Sequence, residues 1–358
     1  MRFVSPALKH VIYPALAATG SFRRLAPHGV SVVTYHGVQP DGYKSQDPAL
    51  DGNLVSAAML RRQLRTLKAN YDVISPEDFR SWFNGSTKLP VRAVLLTCDD
   101  GLLNVLTSML PILQEEDVKC IFFVTGASAA ESPAMLWYEQ LFLAILRAPA
   151  GKFRILNVED ELTGPTQRRA VWWRIVQRLS QDDANSRDAF LAAISQTWPN
   201  SPDPDRDAPP LQQRFRLLTR SQLIQLQAAG MTIGAHTMTH PILSRQPVAL
   251  ARQEIAGSRS VLENALARPV WAFAYPFGDS SAVDAQAMTI AREAGFEAAF
   301  LNYGGGFSPH FDHFAIPRVH VTATMGVAEF EAHVAGFHSL LQRRSGRVPP
   351  GSAIASTR

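Results

Sequence analysis

An apolar run from Val91 to Leu96, with valines at 91 and 94, leads into Thr97-Cys98-Asp99-Asp100-Gly101. Such a run reads as a buried strand, with Gly101 as its sharp exit. Two adjacent carboxylates at the mouth of a buried strand repel each other and are costly to desolvate. A cation relieves both penalties, and its other ligands must come from elsewhere in the chain. His236 and His240, in Gly234-Ala235-His236-Thr237-Met238-Thr239-His240-Pro241, are the candidates. Their spacing predicts two imidazoles on one side of a helical turn. Two histidines with one carboxylate form an open metal set that leaves room for water. Each half also has a plainer reading. Asp-Asp-Gly after a strand can be only a turn with a helix N-cap, and with 10 histidines in 358 residues one pair at this spacing is a weak signal. Context joins the halves, because Met231-Thr232-Ile233 is a second short apolar run that ends at the histidine pair. Active groups at the carboxyl ends of strands are how α/β barrels build their sites.

The rest of the chain repeats the strand–helix alternation. Val30 to Tyr35 reads as a strand ending in Tyr35-His36-Gly37-Val38, and Leu60, Leu64 and Leu67 mark a helix face. A short strand from Tyr71 to Ile74 is followed by Ser75-Pro76, an N-cap with proline at the first helical position. Asn104 to Glu116 reads as a helix and Cys120 to Val124 as a strand. Further strands are expected at Val270 to Tyr275, Glu297 to Leu301 and Ile316 to Val321, with helices at Pro247 to Ala267 and Ala285 to Ala294. Spacing of this kind implies parallel pairing and right-handed crossovers, an α/β architecture. Gly304-Gly305-Gly306 reads as a flexible turn. Residues 131–216 break the rhythm with three amphipathic helices and a Pro/Asp-rich linker from Trp198 to Pro210, and read as a helical insertion. The expected organisation is an N-terminal helical segment (1–28), a barrel (29–342, insertion about 131–216) and a disordered tail (343–358).

Composition sets outer bounds. A chain with 46% hydrophobic and 18% charged residues has a substantial core. Its net charge is only +4, with basic residues scattered, so no nucleic-acid partner is expected. Cys98 and Cys120 fall in core strands and read as buried thiols, not a disulfide. Residues 3–20 are too short and too interrupted for a membrane span, and lack the unbroken apolar stretch of a secretory signal. They read as an amphipathic surface helix, with Leu8, Val11, Ile12 and Leu16 on one side and Lys9, Arg23 and Arg24 available to lipid head groups. The equal alternative is a helix packed on the barrel. A cytoplasmic enzyme in peripheral contact with a membrane is the expectation, with an exported form left open and the oligomeric state not given.

At these residues the sequence resembles the polysaccharide deacetylases of the NodB-homology type, carbohydrate esterase family 4. Their Thr-Phe-Asp-Asp-Gly reads here as Thr97-Cys98-Asp99-Asp100-Gly101, and their His-Ser/Thr-x-x-His as His236-Thr237-Met238-Thr239-His240. Their Phe-Arg-Pro-Pro-Tyr-Gly is similar to Phe273-Ala274-Tyr275-Pro276-Phe277-Gly278. The resemblance covers roughly residues 30–126 and 217–337. It implies a distorted (β/α) barrel, a divalent metal on Asp100, His236 and His240, which Zn²⁺ suits best and other divalent ions suit too, and Asp99 as the base. Phe277 falls where relatives offer a backbone N–H to the oxyanion. The family's arginine falls on Ala274, so Asp99 must be oriented otherwise, and Arg318 is the candidate. Val319-His320 loosely matches the late motif, which makes His320 the candidate acid. His36, in a Tyr-His opening like that of exopolysaccharide-type members, and Tyr275 are the candidate substrate contacts. The implied activity is removal of N-acetyl groups from amino sugars of a bacterial exopolysaccharide or cell-surface polysaccharide. A metal-dependent hydrolase of a non-sugar amide and a catalytically silent glycan-binding module are the competing readings. In the insertion, Trp137, Tyr138, Trp172 and Trp173 either stack on sugar faces or bury against each other.

Overall fold

The computed structural model describes residues 5–132, 134–198 and 208–344. Eight parallel strands form the main sheet: β1 (Gly29–Tyr35), β2 (Asp72–Ile74), β3 (Arg92–Cys98), β4 (Cys120–Val124), β7 (Thr232–Ala235), β8 (Ala272–Ala274), β9 (Ala298–Gly304) and β10 (Ile316–His320). Pairing of β1 with both β10 and β3 closes seven of them into a barrel. The short β2 pairs with the first half of β3 and β4 with the second half, so both share one edge. The strands are buried along nearly their whole length, as their continuous apolar runs require when helices cover a parallel sheet.

The insertion after β4 holds a feature that the helical reading omits. Besides the helices Trp137–Arg147, Pro165–Leu179 and Ala184–Thr197, it contains an antiparallel hairpin, β5 (Gly151–Ile155) and β6 (Val158–Leu162). Ile155, Val158 and Leu162 are buried, while the intervening charged residues face outward. The turn was hidden because Leu156, not a glycine or asparagine, takes its left-handed position (φ 49°). Residues 199–207 of the expected linker and 345–358 of the expected tail lie outside the described residues.

The N-terminal helices pack on the barrel rather than floating free. Tyr13 and Phe22 are fully buried against Phe337, and Tyr13 Oη hydrogen-bonds His338 Nδ1 at 2.7 Å. Lys9, expected to face lipid, instead pairs with Glu329 at 3.0 Å. The apolar face is split: Leu8 and Leu16 lean on the core, while Val11 is 65% and Leu25 61% exposed. Among the described residues no helix is long and apolar enough to cross a membrane.

Candidate active site

Strand ends deliver the polar groups. Where β3 stops, Asp99 N–H donates to Tyr35 O of β1, and Asp100 turns out of the sheet at φ 74°. Where β7 stops, His236 N–H donates to Val124 O of β4. Left-handed backbone at a non-glycine residue costs on the order of 1–3 kcal/mol. Four of the seven described residues that adopt it, Asp100, Thr237, His240 and Phe277, belong to this cleft. Strain is concentrated where side chains have to be aimed.

The histidines do not lie on a helical turn. Thr237 (φ 63°) and His240 (φ 62°) forbid one, and Thr237 Oγ instead accepts from His240 N–H at 2.9 Å. That loop still brings the rings together, 4.8 Å apart. It is held from outside by Glu254, which accepts from Thr239 N–H at 2.8 Å and pairs with the buried Arg187 at 3.1 Å. Trp137 Nε1–H donates to His240 O at 3.2 Å, so the insertion braces the metal-ligand candidates.

Asp100 Oδ1 lies 3.3 Å from His240 Nε2 and 3.6 Å from His236 Nε2, and one ligand atom from each of the three residues lies within 4.8 Å of the others. Tetrahedral ligands about 2.0–2.1 Å from one ion are themselves about 3.4 Å apart, so the set fits a Zn²⁺-sized cation. His236 Nδ1 faces Ala274 O at 2.7 Å, which fixes the N–H there and leaves the Nε2 lone pair free for an ion. Burial pushes the Asp100 carboxyl up, but its histidine partners reverse this and hold it well below the usual carboxylate range.

Asp99 is clamped by Arg318. The guanidinium donates Nη1–H to Oδ1 at 2.7 Å and Nη2–H to Oδ2 at 2.6 Å. Its remaining donors reach Thr97 Oγ1 at 3.0 Å and Leu301 O at 2.6 Å, so a fully buried arginine is satisfied. Burial raises the Asp99 carboxyl, and Arg318 with His236 outweighs it, keeping Asp99 an anion. Gly305 is no flexible turn: its N–H donates to Arg318 O at 3.0 Å, and a Cβ there would sit 2.2 Å from the Arg318 carbonyl carbon. Only glycine lets β9 approach closely enough to seat that arginine.

Other candidates divide. His36 lines the cleft, stacks edge-on with His320 at 4.9 Å, and its buried Nδ1 has no hydrogen-bond partner. His320 is enclosed, with Nδ1 2.9 Å from Asn302 Oδ1 and Nε2 3.0 Å from Asn53 Oδ1. Burial, and after it the neighbouring His36, push it down to about 3. His320, expected as the acid, is not among the residues that line the cleft. Tyr275 is fully buried, with Oη donating to Phe314 O at 3.0 Å, so it is a core residue and touches no substrate. With Phe273, two residues earlier, it belongs to the layer packed between the sheet and the helices, away from the mouth. Phe277 does line the cleft, and among the described residues its backbone N–H has no protein acceptor.

The cleft has a volume of about 260 Å³. Tyr138, Trp172 and Trp173 line it, so these aromatics face the site, while Trp137 is buried beneath. Glu139, Arg214, Asn53 and Asn302 also line it and escaped the sequence reading. Glu139 left one usable signal: it shares a helix face with Phe142 and Leu143, and a carboxylate on an apolar face needs a partner. The partner is Arg214, at 2.8 Å. Burial, set against Arg214, raises Glu139 to about 7.

Comparison with known proteins agrees with this geometry. The family model "Polysaccharide deacetylase" matches residues 86–154 and 155–299. No curated protein sequence matches the chain. Among solved structures, the fold is similar to IcaB from Ammonifex degensii (TM-score 0.54, 19% identity, covering 86% of this chain and 98% of that one). It is also similar to the Streptococcus pyogenes deacetylase PplD in complex with acetate (0.53, 16%, 86% and 99%). A third is a de-N-acetylase from Aggregatibacter actinomycetemcomitans (0.53, 15%, 85% and 99%).

Proposed function

The chain belongs to the polysaccharide deacetylase family, and from that premise we propose that it removes N-acetyl groups from amino sugars of a bacterial exopolysaccharide, with Zn²⁺ as its ion. The observation that carries this is a three-ligand cation site, Asp100, His236 and His240, beside a carboxylate kept ionised by its own buried arginine. A divalent cation held there acidifies water and polarises the carbonyl. Asp99, which lines the cleft, takes the water's proton, and its clamp by Arg318 fixes the carboxylate plane. The Phe277 N–H donates to the oxygen that gathers charge as the carbonyl carbon becomes tetrahedral. The C–N bond then breaks, the water oxygen leaves in acetate, and the sugar nitrogen needs a proton. We assign that proton to His36, because its ring lines the cleft beside Asp99 and Asp100, whose charges oppose the lowering of its pKa by burial, whereas His320 lies outside the lining with both ring nitrogens against asparagine side chains.

The test is acetate release from N-acetylglucosamine oligomers by the full chain, with metal removed and restored. We expect release only with metal, and a loss of about 10²–10⁴-fold for His36→Ala, the range of a lost general acid. Turnover of small cyclic amides without acetate release from any glycan would move the reading to a non-sugar amide. Full activity of His36→Ala would return the acid role to another group.

The N-terminal helices support a place at an anionic membrane surface. Residues 1–40 contain no Asp or Glu, and Val11, Ile12 and Leu25 are exposed together with Arg23 and Arg24. Flotation with phosphatidylglycerol vesicles should recover the protein, phosphatidylcholine vesicles should not, and Arg23→Gln/Arg24→Gln should weaken recovery. Equal recovery on both lipids would contradict this placement.

A further inference from the structure

A deacetylase that works along a polymer needs a groove open on both sides of the reacting residue. Here the residues that flank the mouth of the barrel are tied together. The loop after β1 is joined to the insertion by two ion pairs. Asp47 meets Arg169 at 2.8 Å, and Asp51 meets Arg214 at 2.8 Å. Arg214 is buried and also donates to Leu50 O at 2.9 Å and to Glu139. Next to this clamp, three segments join through their backbones. Leu103 N–H donates to Arg216 O at 2.7 Å, Leu218 N–H to Gly101 O and Leu217 N–H to Ala134 O, both at 2.8 Å. Leu102, Leu136 and Leu217 pack into a cluster of their own along that strip. The aromatic side is closed by Tyr138, which packs on His240 and Phe277 at 4.9 and 5.4 Å.

What remains is a pit. The lining residues that keep solvent exposure, Ala49, Asn53, Tyr138, Trp172, Trp173, Phe277 and Asn302, surround its mouth. Asp99, Asp100 and Arg214 lie at depth. Its volume of about 260 Å³ falls below the 300–1,000 Å³ usual for ligand pockets, so it has room for about one sugar ring.

We propose that the substrate enters end-on: the enzyme deacetylates one terminal N-acetylated amino sugar, of a chain end or a short glycan, and not the internal residues of a continuous polymer. Trp172 and Trp173 offer ring faces to the sugar, and Asn53 and Asn302 offer hydrogen-bonding groups to its hydroxyls. This rests on the deacetylase reading above and narrows it to a class of substrate.

The metal-loaded full chain is incubated with linear N-acetylglucosamine trimers and hexamers, and products are sequenced by mass spectrometry. The expected result is loss of one acetyl group per chain, at one terminal residue, with kcat/KM per chain unchanged between trimer and hexamer. Acetyl loss at internal residues, or kcat/KM that rises with the number of residues, overturns the end-on proposal and leaves the deacetylase reading standing. Absence of acetate from every glycan while the protein carries its metal overturns both.

Discussion

Replacing Asp100 by Asn removes the bound metal and, with it, turnover. The carboxylate supplies the only negative charge in the three-ligand set, and it is buried, so no water compensates for its loss. Asparagine keeps the shape but offers the divalent ion a neutral carbonyl in place of a charged oxygen. Even a partner one shell further out costs about 10–100-fold in metal affinity or activity, so a ligand is expected to cost at least about 100-fold. The control is Asp99→Asn. Asp99 does not complete the ligand set, so that variant should retain metal after dialysis yet lose about 10²–10⁴-fold in turnover, the range of a lost general base. Metal content and acetate release measured on both variants separate the roles. Asp100→Asn with full metal content after dialysis would break the assignment on which the chemistry stands.

The two substitutions also show what the sequence could reveal. Alternating strands and helices made the barrel legible, because a parallel sheet covered on both faces needs unbroken apolar runs at crossover spacing. Asp99 and Asp100 were legible because two carboxylates at a buried strand end demand a counter-charge. The histidine spacing pointed to two rings that do converge with Asp100, but by the wrong geometry, since a left-handed Thr237 cannot be read from its name. Tyr275 was misread for a related reason. Its motif sits at the end of a strand, and one residue of register decides whether a side chain meets the cleft or the core. Glu139, Arg214 and Asp51 form one buried network from residues up to 163 positions apart, and no local pattern announces such a pairing. The hairpin in the insertion carries Asn157 in its two-residue turn, but the left-handed position falls on Leu156, so no glycine marks it.

Arg318→Met should both destabilise the protein and move its pH dependence. In the folded chain the guanidinium holds the Asp99 carboxyl below its ordinary value against the push of burial. A group depressed in this way adds stability above its unfolded pKa, near 3.9 for aspartate, and that stability is lost as pH falls through the folded value. Without Arg318 the balance reverses: burial is unopposed on that side, the carboxyl rises above its unfolded value, and an ionised Asp99 then costs stability, a cost relieved as pH falls through the raised folded value. Removing one partner of a buried pair costs about 3–5 kcal/mol, so urea unfolding at neutral pH should show a loss of that order. The acidic limb of kcat/KM, which reports the free enzyme's base, should shift upward in pH. Arg318→Lys distinguishes charge from geometry. A lysine restores the charge but not the paired donors to both carboxylate oxygens, nor the contacts to Thr97 and Leu301. Its acidic limb should therefore return towards that of the natural enzyme while kcat stays depressed, because Asp99 is charged again but no longer held in its aim. A Met variant with unchanged stability and an unchanged acidic limb would mean that Arg318 does not set the state of the base.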